Sequence, residues 1–453
     1  MPIPSPSTPI EGIVWPSITA RGVPGLANLI RSLAASQWLS AEELERNALR
    51  QLAITARYCE RESPFFAERL KHAGLTPTDV AAPGGLSALP PMTRRQIQDA
   101  GEALFCRNVP ESHMPTRERR TSGSTGEPLA VRRTEVGNLL GQALTMRDYL
   151  WQGSDFTAPL LIIRAGLTEP VETPDWGPPV SFFHPSAPAA SLPITTPVAE
   201  QAARLHRMAP GTLVSFPNNL AALVDELVAT GSPLPSVRSV RTFGETLTDD
   251  VRQRTKSCFG VDVVDNYSAS EAGMIAAQCP DCGTYHVMSD ALIVEVLDDS
   301  GKPCGPGEVG RVVITDFTNF ATPIIRYEIG DYAEVGDPGT CGRGLSVLRR
   351  IVGRTRNLMI LPDGRRQWPL TGYDRFREIA PIFQFQFVQT DRTTIEVHLV
   401  TARDLTDDEE RALSDVILAA LGHPFRLELR YHSAPLQRSA SGKSEEFVCR
   451  VAL

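Results

Sequence analysis

No stretch of this sequence approaches the ~18 uninterrupted apolar residues that a membrane-spanning helix needs; the run from Leu160 to Ile163 is stopped by Arg164. Met1 to Pro9 has neither a basic start nor an apolar core, so it does not read as a secretory signal. Cysteine is scarce, with 8 in 453 residues, too few for a disulfide-held scaffold. A basic excess is missing too. Lys and Arg total 45 against 53 Asp and Glu, a net charge of −8 with a pI near 5.6, which disfavours a dominant nucleic-acid surface. Repeats and low-complexity tracts are lacking. These absences leave a cytoplasmic enzyme or binding protein with no membrane or nucleic-acid partner.

What is present is ordinary for a globular chain, 42% apolar and 22% charged, and at ~150 residues per domain it allows two or three domains. The first hundred residues read as helical. Ser40-Ala-Glu-Glu is a helix start, followed by Leu44, Leu49, Leu52 and Ile54; a second helix ends near Gly74, and a short Arg- and Gln-rich one follows Pro90-Pro91. From Pro159 strands alternate with helices. Leu160–Ile163, Thr212–Phe216, Val237–Phe243 and Val261–Asn266 read as strands; Val198–Met208, Leu220–Thr230 and Asp249–Cys258 read as helices between them. That alternation predicts a wound α/β sheet. Beyond Ala291 the texture is β-rich, with Leu292–Val296, Gly310–Thr315 and Tyr332–Val335. A boundary is expected near Gly353-Arg354, dividing residues 1–353 from a smaller α+β unit, 354–453, in which Asp407–Leu421 is a helix between strands Thr394–Val400 and Leu427–Tyr431.

Five segments carry candidate chemistry. Arg120-Thr-Ser-Gly-Ser-Thr-Gly-Glu-Pro128 is a run of hydroxyls and glycines whose backbone N–H groups suit a polyphosphate, although no Lys follows Gly126 as the P-loop requires. Asp265-Asn-Tyr-Ser-Ala-Ser-Glu271 reads as a loop leaving the strand Val261–Val264, where ligands of open α/β sheets bind. Pro323-Ile-Ile-Arg-Tyr-Glu-Ile-Gly-Asp331 reads as a hairpin turn whose Asp suits a ribose. Gln437-Arg-Ser-Ala-Ser-Gly-Lys443 puts a lysine on a flexible segment, and Cys279-Pro-Asp-Cys-Gly-Thr-Tyr-His286 has ligands at zinc spacing. Taken singly, each has a bland alternative: a linker, a loop, a turn, a solvated lysine, a pair of buried thiols.

Together, in this order, the segments resemble the adenylate-forming superfamily, and the Pro-Ile-Ile-Arg-Tyr-x-x-Gly-Asp and Arg-Ser-x-Ser-Gly-Lys wording is that of its phenylacetate-CoA ligase-like branch. The resemblance spans nearly the whole chain, from the Arg57–Leu75 helix to Lys443. It implies a large N-terminal domain (wound α/β plus a β-rich subdomain) and a small mobile α+β lid. It further implies that Thr121, Ser122, Gly123, Ser124, Thr125 and Gly126 hold the β- and γ-phosphates of ATP. Gly244, Glu245 and Thr246 would line the adenine and acyl pocket, and Asn266 and Ser268 would border the nucleotide. Tyr267 would flank adenine, Ser270 contact the α-phosphate and Glu271 hold Mg²⁺. Asp331 would take the ribose with Arg354 beside it, and Lys443 would bridge the acid's carboxylate and the α-phosphate.

The implied function is activation of a carboxylic acid, aromatic or cyclic, to an acyl-adenylate with pyrophosphate release, then transfer to coenzyme A. The alternative acceptor is an amine or amino acid, giving an amide. A homodimer is compatible with this reading, and a nucleotide-binding protein without turnover is disfavoured by the presence together of Glu271, Asp331 and Lys443. Phe216, Pro217, Phe243 and Ala269 are the pocket-wall candidates. Relatives carry a Cys-Gly-Arg turn like that at Cys341, which makes Cys341 the fourth ligand of a structural zinc with Cys279, Cys282 and His286. Three positions depart from the family pattern: Glu127 for a common Lys, Ser268 for the usual Gly, and Arg356-Asn357 where two acids are common, one of them the hinge of the lid's rotation. The last departure bears on the second half-reaction.

Overall fold

Sequence-local signals account well for the helices. In the computed structural model, which describes residues 10–120, 129–231, 236–354, 359–367, 376–434, 436 and 447–451, helix Ala41–Glu62 opens with a capping box. The Ser40 hydroxyl accepts from the Glu43 N–H at 3.2 Å, and the Glu43 carboxylate accepts from the Ser40 N–H at 2.9 Å. Leu44, Ala48, Leu52, Ala56 and Cys59 make its buried stripe. Helix Pro64–Ala73 stops at Gly74, whose φ of 65° suits glycine. Helix Gly22–Ser36 was not foreseen; it carries no side-chain cap to announce it.

The expected wound sheet and β-rich part are one continuous sheet of twelve strands. Its parallel half runs Ala189–Pro193, Leu160–Arg164, Thr212–Ser215, Ser239–Phe243, Val263–Ala269. From Val263–Ala269 onward the pairing turns antiparallel, through Gly273–Gln278, Tyr285–Val287, Val347–Arg354, Tyr327–Val335, Val309–Asp316 and Leu292–Leu297. Helices Val198–Met208, Pro217–Ala229 and Asp249–Phe259 bury Leu205, Leu220, Leu223 and Phe259 against the parallel half.

A buried ion pair fastens the N-terminal helices to the sheet. Arg147, on helix Glu135–Trp151, meets Asp290 at 2.6 Å and donates to the Leu33 carbonyl at 2.6 Å, with both charged side chains almost fully enclosed. Asp290 also takes the Ser36 hydroxyl. Such a pair holds register between elements rather than adding much net stability.

Residues Met359 to Phe447 have a hydrophobic core of their own, in which Phe387, Ile395, Val397, Leu413 and Ile417 are enclosed. Its sheet has the order Arg426–His432, Thr394–Thr401, Ile382–Gln389, Phe447–Cys449, crossed by helix Asp407–Leu421.

Two sequence expectations are corrected. Asp331 does not sit in a turn: strand Tyr327–Val335 runs nine residues through it, paired on both sides. Gly330, at φ 85°, and register shifts on either side explain why the segment reads locally as a bend. Likewise Tyr267 to Ala269 are not a loop: the strand expected to end at Asn266 continues through them as Val263–Ala269.

Candidate active site

The site gathers where the sheet changes from parallel to antiparallel. Along Val263–Ala269 side chains alternate, so Val263, Asp265 and Tyr267 point into the protein. Asp265 accepts from the Thr242 hydroxyl at 2.6 Å and from the Tyr285 phenol at 2.7 Å. Burial pushes its carboxyl up to about 6, against the pull of those hydrogen bonds. Asn266 donates to Asp148 at 2.8 Å, and Asp148 pairs with the buried Arg241. Tyr267 donates through its phenol to Asp331 Oδ2 at 2.7 Å, joining two candidate nucleotide contacts 64 residues apart. Across the next strand pair Asp331 faces the backbone of Arg354.

Glu271 follows that strand and is buried. The Tyr327 phenol reaches its Oε1 at 3.4 Å, and Arg94 lies 3.8 Å from the same oxygen. Tyr327's phenol is held well above its usual range by burial first and by the Glu271 charge second. The 90s segment is docked through the backbone: the Met92 N–H donates to the Arg326 carbonyl at 2.6 Å, and the Glu328 N–H donates to the Met92 carbonyl at 2.9 Å. Arg326 carries φ 54°, unusual for a non-glycine, and its guanidinium spans Glu295 at 3.0 Å and the Ser87 and Leu89 carbonyls at 2.6 Å each. Sequence reasoning assigned only Asp331 from this motif and missed Arg94, Arg326 and Tyr327. Arg326-Tyr327 stood inside the quoted wording; Arg94 carried no signal.

Not every candidate meets the others. Glu245 accepts from the Asn218 N–H at 3.1 Å, at the start of helix Pro217–Ala229, and Gly244 adopts φ 80°. Thr246 is exposed. Phe216 and Phe243 pack with ring centroids 4.7 Å apart and planes tilted by 41°, Phe216 and Pro217 being buried. Of the four pocket-wall candidates only Ala269 lines the cavity of about 680 Å³ that also touches Ser268 and Ser270. Thr121, Ser122, Gly123, Ser124, Thr125, Gly126 and Lys443 lie outside the described residues, as do Glu127 and Arg356-Asn357. The glycine-rich run is flanked by described strands on both sides, Arg117–Arg120 and Ala130–Arg133, which pair antiparallel.

The structure brings Cys279, Cys282 and His286, suggested by their spacing, together with Cys341, which the resemblance implied. One ligand atom each from Cys279, Cys282, His286 and Cys341 falls within 4.8 Å of the others. His286 Nε2 is 3.1 Å from Cys341 Sγ and 3.6 Å from Cys282 Sγ. The Cys-Pro-Asp-Cys-Gly knuckle is closed by the Gly283 N–H donating to the Cys279 carbonyl at 2.9 Å. A Cβ at Gly339 would lie 3.0 Å from the His286 ring and 3.3 Å from Cys341 Sγ, so glycine there leaves the cradle open. Three sulfurs and one imidazole nitrogen form a donor set that suits tetrahedral zinc with no position left for a substrate.

Comparison with known proteins agrees with this geometry. Residues 121–321 match the AMP-binding enzyme family. A phenylacetate-coenzyme A ligase of Thermus thermophilus is 25% identical over 337 residues, covering 71% of this chain and 73% of that one. The Escherichia coli phenylacetate-coenzyme A ligase is 24% identical over 360 residues, with 77% and 80% covered. A crystal structure of 2-hydroxyisobutyryl-CoA ligase in the postadenylation state shares the fold, with TM-score 0.71 at 17% identity over 91% of this chain and 90% of that one. The site at the sheet's parallel-to-antiparallel change, the AMP-binding match over residues 121–321 and these relatives all agree with the resemblance of this chain to the adenylate-forming enzymes and to their phenylacetate-CoA ligase-like branch.

Proposed function

We propose that this protein is an AMP-forming ligase. It activates a carboxylic acid, aromatic or cyclic, with ATP and Mg²⁺, releases pyrophosphate, and passes the acyl group to coenzyme A as a thioester. The observation that carries this is the convergence of Tyr267, Asp331 and Glu271 at one end of the parallel strands, beside a cavity able to hold a small acid. In this reading Asp331 takes the ribose hydroxyls, held in place by the Tyr267 phenol. Ser270 contacts the α-phosphate, and the run Thr121 to Gly126 wraps the outgoing phosphates.

The reaction sets a carboxylate against a phosphate, negative against negative, so the chain must supply positive charge where the two meet. This reading gives that charge to Lys443, which would arrive on the small C-terminal unit and leave with it once the adenylate has formed. A buried carboxylate oxygen suits a hard cation, and Glu271 fits Mg²⁺, which when bound would neutralise the phosphate oxygens. Arg94 and Tyr327 hold that carboxylate in place meanwhile. The Cys279, Cys282, His286 and Cys341 cluster is assigned to structural zinc, tying the hairpin after Glu271 to the loop before strand Val347–Arg354. Among the described residues no helix is long and apolar enough to cross a membrane.

Acid-dependent pyrophosphate release, run with coenzyme A or with mixed amino acids, tests the acceptor. Stimulation by coenzyme A with a thioester in the mass spectrum is the expected result; stimulation by an amino acid with an amide product replaces it with the amide-forming reading. Glu271→Gln is expected to raise the Mg²⁺ needed for half-maximal rate by about tenfold or more, since the carboxylate charge is the main attraction for the ion. An unchanged Mg²⁺ titration removes Glu271 from the metal site.

A further inference from the structure

The cavity beside Ser268–Ser270 has a lining that a plain aryl acid does not explain. Strand Arg117–Arg120 and strand Ala130–Arg133 pair with Arg117 directly opposite Arg133. Side-chain alternation then puts Arg117, Arg119 and Arg133 on one face of the hairpin, and all three line the cavity. Like charges facing each other across a strand pair are unfavourable unless something offsets them. Among the described residues, none of the three side chains makes a hydrogen bond or an ion pair. Their neighbour Arg132, on the other face, does have partners, at Glu102 (2.9 Å) and Glu118 (3.8 Å).

Arg133 is set deepest. A Cβ on Gly273 would sit 2.6 Å from its Nη1, and one on Gly137 would sit 3.4 Å from its Nη2, so two glycines make room for this guanidinium. Gly273 comes two residues after Glu271, so the cation lies beside the reacting centre. Burial lowers Arg133 from its ordinary range, Arg119 adds to that, and Asp316 opposes it. Helix Glu135–Trp151 turns its N-terminal end to the same space through Thr134, Gly137 and Asn138. Among the described residues Glu135 is the one carboxylate in the lining, with its Oε1 3.4 Å from Asn138 Nδ2. Three arginines therefore stand against one glutamate.

We propose that the acid activated here carries a second anionic group, such as a further carboxylate on its ring, and that Arg133 binds that group with Arg117 and Arg119. The inference rests on the adenylation reading only for its substrate; the anion site itself stands on the hairpin and the cavity. Arg133 is thereby a specificity-determining residue, and a guanidinium fork suits a carboxylate in two-point contact.

The test pairs acids of one shape with one or two carboxylates: benzoate against isophthalate, and cyclohexanecarboxylate against its 1,3-dicarboxylate. Each is measured by pyrophosphate release and, independently of turnover, by calorimetric binding with AMP present, for the unaltered protein, Arg133→Gln, and the exposed-position variants Arg117→Gln and Arg119→Gln. The diacids are expected to be preferred by about tenfold or more. Arg133→Gln is expected to raise their KM and Kd about 10- to 100-fold while the KM for ATP stays put, with smaller effects at positions 117 and 119. Equal handling of paired acids by every variant overturns the proposal. So does a rise confined to the KM for ATP, which would give the arginines to the phosphates. Arginine-dependent diacid binding without pyrophosphate release keeps the anion site and instead removes the adenylation reading.

Discussion

Lys443→Ala is expected to lower acid-dependent pyrophosphate release by about 10²–10³-fold, with little change in the KM for ATP. The argument is electrostatic. Adenylation brings a carboxylate onto a phosphate, and the repulsion peaks as the new bond forms. A donor aimed at that developing charge is typically worth about 2.7–4 kcal/mol. ATP in the ground state draws its affinity from other groups, which this reading places at Tyr267, Asp331 and the Thr121–Gly126 run. Loss should therefore fall on kcat. Near-normal release in the variant removes Lys443 from the mechanism, and a defect confined to KM makes it a binding residue only. Because Lys443 belongs to the segment preceding Phe447, on the unit with its own core around Phe387 and Leu413, truncation of that segment should reproduce the kcat defect without unfolding the large sheet.

The second large effect concerns the metal cluster. Purified protein is expected to carry about one zinc per chain, and Cys341→Ser to lose it. Cys341 and His286 are 55 residues apart, with Sγ and Nε2 at 3.1 Å, so the ion would clamp the hairpin around Cys279 to the loop before Val347. A ligand held at 100 to 1,000 times its Kd stabilises a fold by about 2.7–4.1 kcal/mol, and chelation or Cys341→Ser should lower the melting temperature accordingly. Catalysis should follow only as far as Glu271 moves, since a closed four-ligand site offers nothing to a substrate. A folded, metal-free protein with an unchanged melting temperature leaves these residues as plain buried thiols beside a histidine.

How much of this was legible in the sequence depended on the range of the forces involved. Capped helices were, because the cap lies within four residues of the signal: helix Asp407–Leu421 starts at Thr406 with its Glu409 box and stops at Gly422, as its pattern suggests. Four of the five parallel strands were legible because each is a short apolar run set off by helices; Ala189–Pro193 was not foreseen. Asp331 was misplaced into a turn because Gly330 bends the chain locally, while the pairing that makes it a strand comes from Val309–Asp316 and Val347–Arg354. The continuity of the twelve-stranded sheet was hidden for the same reason: one strand, Val263–Ala269, is parallel on one edge and antiparallel on the other.

Individual site residues divide along the same line. Glu271 and the Cys279 knuckle lie in compact segments whose spacing is itself the signal. Arg94 reaches Glu271 only through the Met92 bridge to Arg326 and Glu328, a contact between distant parts of the chain. Phe216 and Phe243, chosen as pocket walls, pack against each other, a contact between distant parts of the chain that the sequence did not announce. The three arginines around the cavity were invisible as a group until the hairpin register put Arg117 opposite Arg133.

Formation of the acyl-adenylate is the claim on which the rest depends, and exchange of labelled pyrophosphate into ATP measures that step without needing the acceptor. With Mg²⁺, this protein and an acid from the paired panel, label is expected to enter ATP, and to stop entering when the acid is withheld. Exchange that ignores the acid, or no exchange across the panel from a protein that binds ATP, contradicts the account.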